Sequence, residues 1–132
     1  MQIYVINGPD GIGKTDFSVS LAESLKDSNK VLLIQGKRKA ASNIISPLLE
    51  DKYEIKSEDI KKLLSNVSYD YVILNGVDKN LLSDKYVIDI VGENDLSYVS
   101  DSDAFFINRV SEDYDVRKYK DQIDSKSSKF LG

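Results

Sequence analysis

Five stretches of the chain are continuous apolar runs rather than alternating ones: residues 2–7, 31–34, 69–74, 86–91 and 104–108. Runs of this length, rich in β-branched and aromatic side chains, predict strands buried on both faces. Between the first two the period changes. Phe17, Leu21 and Leu25 recur every four residues with Ala22 beside them, so residues 14–26 predict an amphipathic helix, ended by Asp27-Ser28-Asn29. Ile44-Ile45 and Leu48-Leu49 flank Pro47, which predicts a short, broken helix within residues 40–49. Ser57 is a suitable N-cap for a helix over residues 58–65, whose early acids Glu58 and Asp59 suit the helix dipole. Asn75-Gly76 is a turn signal that stops the third strand. Residues 92–103 are too few for a full crossover helix, so a loop or one or two helical turns must join the fourth and fifth strands. Residues 112–123 read as a polar surface helix. Residues 125–132 have the composition of a flexible, frayed tail, which leaves residues 1–124 as the domain. The pattern predicts a three-layer α/β domain: a mainly parallel sheet of about five strands, flanked by helices.

The first strand runs directly into Gly8-Pro9-Asp10-Gly11-Ile12-Gly13-Lys14-Thr15, and the amphipathic helix begins at its end. This is the G-x-x-x-x-G-K-[ST] spacing of a P-loop in its required strand–loop–helix context. The glycines let the backbone curl until successive N–H groups point inward at phosphate oxygens. The helix adds its positive N-terminal end. Lys14 is placed to reach the β and γ phosphates, and the Thr15 hydroxyl to bind Mg²⁺. The competing reading is a glycine-rich turn that binds nothing, but the Lys-Thr pair has no packing reason to stand there. The expected ligand is a nucleoside triphosphate.

Composition narrows the chemistry. The chain has 132 residues, 41% of them hydrophobic, enough for one domain with a real core. It contains neither cysteine nor histidine, which removes thiol nucleophiles, histidine bases and Cys/His zinc sites. A metal here is expected to be hard and oxygen-bound. A net charge of -4 argues against nucleic acid as the main ligand. No apolar run approaches the roughly 20 residues that span a bilayer, and the first residues lack the basic region of a signal peptide. A cytoplasmic protein is the expectation.

Several segments together resemble the ParA/MinD family of P-loop ATPases (the SIMIBI type), in shortened and divergent form. Gly11-Ile12-Gly13-Lys14-Thr15 with Leu21-Ala22 and Leu25 is similar to that family's first loop and helix. Val31-Leu32-Leu33-Ile34 resembles its second strand, and Tyr69-Asp70-Tyr71-Val72-Ile73-Leu74 its Walker B strand. Phe105-Phe106-Ile107-Asn108-Arg109-Val110 resembles the late strand whose Asn-Arg pair approaches the adenine. The resemblance implies ATP and Mg²⁺ as ligands, held by Asp10, Gly11, Ile12, Gly13, Lys14, Thr15, Asp16, Asn108 and Arg109. Lys14 is the catalytic candidate, with Thr15 and Asn75 at the metal. It also implies a protein partner or a homodimer.

The departures from the family are charged positions. The signature lysine, second in the loop, falls on Pro9. The aspartate expected after the second strand falls on Gln35, and the Walker B aspartate falls on Asn75. Asp10, Asp16, Asp78 and Asp89 are the acids that could compensate. Asp89 is the odd one, because a carboxylate inside a buried strand needs a partner. Lys37-Arg38-Lys39 is the densest basic run and lies on the loop's edge of a parallel sheet, as a phosphate or partner contact or as a solvated loop. The eight tyrosines form no stacking platform.

Three functions stay open: an ATP-binding regulatory or assembly switch with weak or absent hydrolysis, a non-binding pseudo-ATPase interaction module, and a small nucleotide kinase. The third arises because Gly8-x-Asp10-Gly11-x-Gly13-Lys14-Thr15 is also similar to the thymidylate kinase type of loop. Against it, the arginines are only Arg38, Arg109 and Arg117, few for acceptor and lid segments.

Overall fold

A computed structural model describes residues 1–9, 11–35, 51–53, 69–77, 80, 82–99, 102–108 and 115–132, with the backbone alone at Gln35 and 51–53. The elements in chain order are β1 (Gln2–Asn7), α1 (Lys14–Leu25), β2 (Val31–Gln35), β3 (Asp51–Tyr53), β4 (Tyr71–Asn75), β5 (Tyr86–Val91), β6 (Ala104–Ile107), α2 (Lys120–Asp124) and β7 (Lys129–Phe130). Short 3-10 turns at Leu96–Tyr98 and Val116–Tyr119 join the later elements. The seven strands form one sheet in the order β3-β2-β4-β1-β5-β6-β7. Every neighbouring pair is parallel. Strands β2 to β4 lie on one side of β1 and strands β5 to β7 on the other. The loop leaving β1 therefore sits where the winding direction of the sheet changes, at the carboxyl edge.

The continuous apolar runs are explained by packing on both faces. Ile6, Val31, Leu33, Ile73, Ile88 and Ile90 pack with Val19 and Ala22 of α1. Their sequence neighbours Val5, Leu32, Ile34, Val72, Leu74 and Val87 form a second cluster. Successive strand residues point to opposite faces, so both sides of the central strands are core. Further along, Val91, Leu96, Phe105 and Ile107 pack with Tyr119, Ile123 and Phe130. By the same alternation, Val91 and Phe105 belong to the face away from α1. Helical segments thus cover both faces, and the predicted three-layer α/β architecture is observed.

The sheet is larger than predicted at its edges. β3 escaped notice because Asp51-Lys52-Tyr53 is mostly polar, as an edge strand tolerates. Residues 125–132, expected to fray, carry β7 instead. The Ser128 hydroxyl donates to the Ser102 carbonyl at 2.6 Å. The Lys129 and Leu131 N–H groups each donate to β6-side carbonyls at 2.9 Å. The Phe130 ring lies 5.2 Å from that of Phe105. One aromatic residue in a polar octapeptide is too brief a signal for periodicity to register. The strand predicted from residue 69 begins at Tyr71, with Tyr69 buried just ahead of it. The polar helix expected over 112–123 is, within the described residues, a 3-10 turn followed by the short α2. The 92–103 connection is made with the 3-10 turn, as expected. The helices expected within 40–49 and 58–65, and the basic run at Lys37, lie outside the described residues.

Candidate functional site: the turn from β1 into α1 and the strand ends beside it

The loop is held from below by the core. Ile12, at its apex, is only 6% exposed and joins the cluster between α1 and the sheet. Burial of such a side chain is worth about 1.5–3 kcal/mol. Gly8, with φ 152°, passes so close to β5 that an added Cβ would lie 2.2 Å from the Ile90 carbonyl oxygen. Only glycine fits that approach. Gly13 sits at φ 105°, in the left-handed region, as the residue that starts α1. No side chain caps this helix. The Phe17 N–H makes the first helical bond, to the Gly13 carbonyl at 3.0 Å, so the Thr15 and Asp16 N–H groups have no partner within the helix. A helix start of this kind offers oriented N–H groups to an anion.

The side chains of the motif converge on the same place. Lys14 Nζ folds back over the loop and donates to the Gly8 carbonyl at 2.7 Å. Asn75, at the end of β4 and 6% exposed, donates from Nδ2 to the Thr15 hydroxyl at 3.2 Å. Asn108 donates from Nδ2 to the Ile12 carbonyl at 2.8 Å and so ties the loop to the end of β6. Asp16 is exposed in the first turn of α1. A cleft of about 380 Å³ opens beside the helix start, between α1 and the end of β6, and its walls include Gly13, Asp16, Phe17, Phe106 and Asn108. The rings of Phe17 and Phe106 stand 5.1 Å apart in it.

Gly11, Ile12, Gly13, Lys14, Thr15, Asp16, Asn75 and Asn108 are therefore brought together at one edge. Asp10, Asp78 and Arg109 lie outside the described residues. Asp89 is not part of this group. It is 1% exposed and lies on the sheet face away from α1, where Oδ1 accepts from Asn7 Nδ2 at 2.8 Å. Its other oxygen, Oδ2, is buried with no hydrogen-bond partner among the described residues. Asn7 is the residue that enters the loop, so Asp89 braces the loop from behind. Sequence reasoning raised Asp89 without its partner, because the pairing depends on the β1–β5 register that sets Asn7 beside Asp89. The cleft wall formed by Phe17 and Phe106 was also missed, since both residues read as ordinary core.

The positions at which the resemblance would place acids, 35 and 75, carry amides in this sequence. Gln35 and Asn75 end adjacent parallel strands and are partners in register. Among the described residues no group of three or more Asp, Glu, His or Cys side chains is placed to hold a metal ion. Mg²⁺ would find the Thr15 hydroxyl, one of whose two lone pairs accepts from a neutral amide. Among the described residues the donor set does not fit a metal centre built on carboxylates.

Comparison with solved structures settles the fold. A plasmid partition protein from Borrelia burgdorferi superposes with a TM-score of 0.69 at 17% identity, over 99% of this chain and 88% of that one. MinD in the MinC:MinD cell division protein complex of Aquifex aeolicus is similar with a TM-score of 0.65 at 16% identity, over 100% of this chain and 80% of the other. A Borrelia burgdorferi B31 plasmid partition protein bound to AMPPNP gives 0.64 at 19% identity, over 99% and 85%. The chain has a ParA/MinD-like fold. No protein-family model matches the sequence. No curated protein matches it either. The likeness is thus one of architecture, at low sequence identity. Among the described residues no helix is long and apolar enough to cross a membrane.

Proposed function

We propose that this chain binds ATP at the loop and serves as a nucleotide-dependent switch that hydrolyses its ligand slowly or not at all. The observation that carries the reading is the uncapped start of α1 at Gly13, set at the carboxyl edge of the sheet with Lys14 and Thr15 on its first turn. Oriented N–H groups and one ammonium suffice to hold a polyphosphate. The cleft beside them, between Phe17, Phe106 and Asn108, is of a size and polarity for a base and ribose. One of the similar structures holds AMPPNP, which supports the same ligand class. Weak hydrolysis follows from charge. Phosphoryl transfer is catalysed mainly by positioning and by neutralising charge, and the positions that would supply carboxylates here are Gln35 and Asn75. A protein partner or a second copy is the natural reader of such a switch, in keeping with the MinC:MinD complex among the similar structures.

A second reading, an assembly module that no longer binds nucleotide, draws on the internal contacts of Lys14 with Gly8 and of Asn75 with Thr15. Thermal melting with and without millimolar ATP separates the two, because a ligand that binds only the folded state raises the midpoint by mass action. The expected result is an upward shift in the wild type that disappears in Lys14→Ala, since an ammonium–phosphate contact is worth about 1.5–3 kcal/mol. Basal ATP turnover should be barely measurable. No shift in the wild type favours the module, and brisk basal turnover overturns the switch. Phosphate transfer to a nucleoside monophosphate, abolished by Lys14→Ala, would restore the kinase reading.

A further inference from the structure

We propose that nucleotide binding at this loop does not depend on a divalent cation, because Asn75 turns the Thr15 hydroxyl into a hydrogen-bond donor for phosphate. The inference rests on the nucleotide-binding reading above and deepens it. Its starting point is the contact from Asn75 Nδ2 to the Thr15 oxygen at 3.2 Å, made at the end of a strand with Asn75 buried. A hydroxyl has one proton and two lone pairs. With an N–H occupying a lone pair, the O–H becomes the stronger donor, because hydrogen bonds in a chain polarise one another. The same occupation weakens the oxygen as a ligand for a cation. The relay therefore runs from the Asn75 amide to the Thr15 oxygen, and from the Thr15 proton to a phosphate oxygen. It supplies by hydrogen bonding part of what a metal supplies by charge.

The neighbouring charges point the same way. Bare ATP is repelled by carboxylates, and a metal relieves that repulsion by standing between the two anions. Here the residues that end β2 and β4, in backbone register at 35 and 75, are neutral, and the acid of the site, Asp16, is exposed to water that screens it. Less repulsion acts on the bare polyphosphate, and the protein has less to gain from a metal. Coupling between two ligands is reciprocal, so a site that adds little to metal binding gains little nucleotide affinity from the metal.

The test is calorimetric titration of the full chain with ATP, once in excess MgCl₂ and once in EDTA. The two dissociation constants should agree within about threefold, since the coupling factor is close to one. Thr15→Val should weaken binding by about tenfold in both buffers, the loss expected for one charge-assisted hydrogen bond, whereas Thr15→Ser should bind as the wild type does. Asn75→Asp should introduce metal dependence, with the EDTA affinity falling at least about tenfold below the Mg²⁺ affinity. Wild-type binding that needs Mg²⁺, or a Thr15→Val loss confined to the Mg²⁺ buffer, overturns the proposal and leaves nucleotide binding standing. Absence of binding in both buffers overturns the nucleotide reading and this inference with it. The two wild-type titrations decide the matter even should Asn75→Asp fail to fold.

Discussion

The turn from β1 into α1 and the paired ends of β2 and β4 meet at one edge of the sheet, yet they are made of different things. The first is backbone geometry anchored in the core: Ile12 buried beneath it, Gly8 against the Ile90 carbonyl, Asn108 on the Ile12 carbonyl. The second is side-chain identity at exits from strands whose pairing does not depend on it. On the proposed reading, a polyphosphate would be gripped mostly by the first, and any cleavage would draw mostly on the second. Charge at the strand ends can therefore differ while the backbone anchors of the loop stay the same. A chain can keep the fold and the cradle while its chemistry drifts.

The largest expected effect comes from breaking the first region where it is tightest. In Gly8→Ala the new methyl group would meet the Ile90 carbonyl at 2.2 Å, in a backbone conformation hostile to side chains. Backbone on both sides of the clash leaves no flexible group to yield. We expect a loss of about 3–5 kcal/mol in stability, read from the denaturant midpoint, with ATP binding lost as well. The matching change in the second region, Asn75→Asp, alters charge without adding an atom to the backbone path. A Gly8→Ala protein as stable as the wild type would show that the loop is not set by its contact with β5.

The same contrast explains what could be read from the sequence. The loop was legible because its constraints are local: glycines, a lysine and a hydroxyl at fixed offsets between a strand and a helix. The strands β1, β2, β4, β5 and β6 were legible because burial on both faces makes them continuous apolar runs. β3 was not, since Asp51-Lys52-Tyr53 draws its stability from pairing with β2 rather than from an apolar run. β7 was not, since two residues carry no period and its hold depends on Phe105 and Ser102, more than twenty residues away in sequence. Asp89 was recognised as anomalous but its role needed register. The contact of Asn75 with Thr15 spans 60 residues and could only be seen once β4 lay beside β1.

Asp89 sharpens the comparison from behind the loop. Its carboxylate holds Asn7 at 2.8 Å while Oδ2 has no partner among the described residues. Asp89→Ala leaves the Asn7 amide without this acceptor and should cost about 1–3 kcal/mol. Asp89→Asn retains an oxygen to accept from Asn7, removes a buried charge and should stay within about 1 kcal/mol of the wild type. A brace and a catalytic acid differ in one readout. ATP affinity should be the same in Asp89→Asn as in the wild type. If it moves while stability does not, the carboxylate acts on the ligand and the first region is not purely backbone.

The smallest expected effect tests how the loop is tied at its far side. Asn108 is exposed, yet its amide nitrogen bonds the Ile12 carbonyl and its side chain lines the cleft where a base would sit. It can act as a tether of the loop, as a reader of the base, or as both, and the two roles predict different losses. A tether holds the cradle, so its removal weakens every nucleotide alike. A base contact discriminates, so its removal weakens ATP and spares GTP. The bond to Ile12 already commits one N–H to the loop, which favours the tether. Asn108→Ala should lower stability by about 0.5–1.5 kcal/mol and weaken ATP and GTP by the same few-fold factor, measured by paired titrations. A loss restricted to ATP would instead place Asn108 on the adenine. The far anchor of the loop would then belong with the side-chain chemistry of the strand ends rather than with the backbone proposed to grip phosphate.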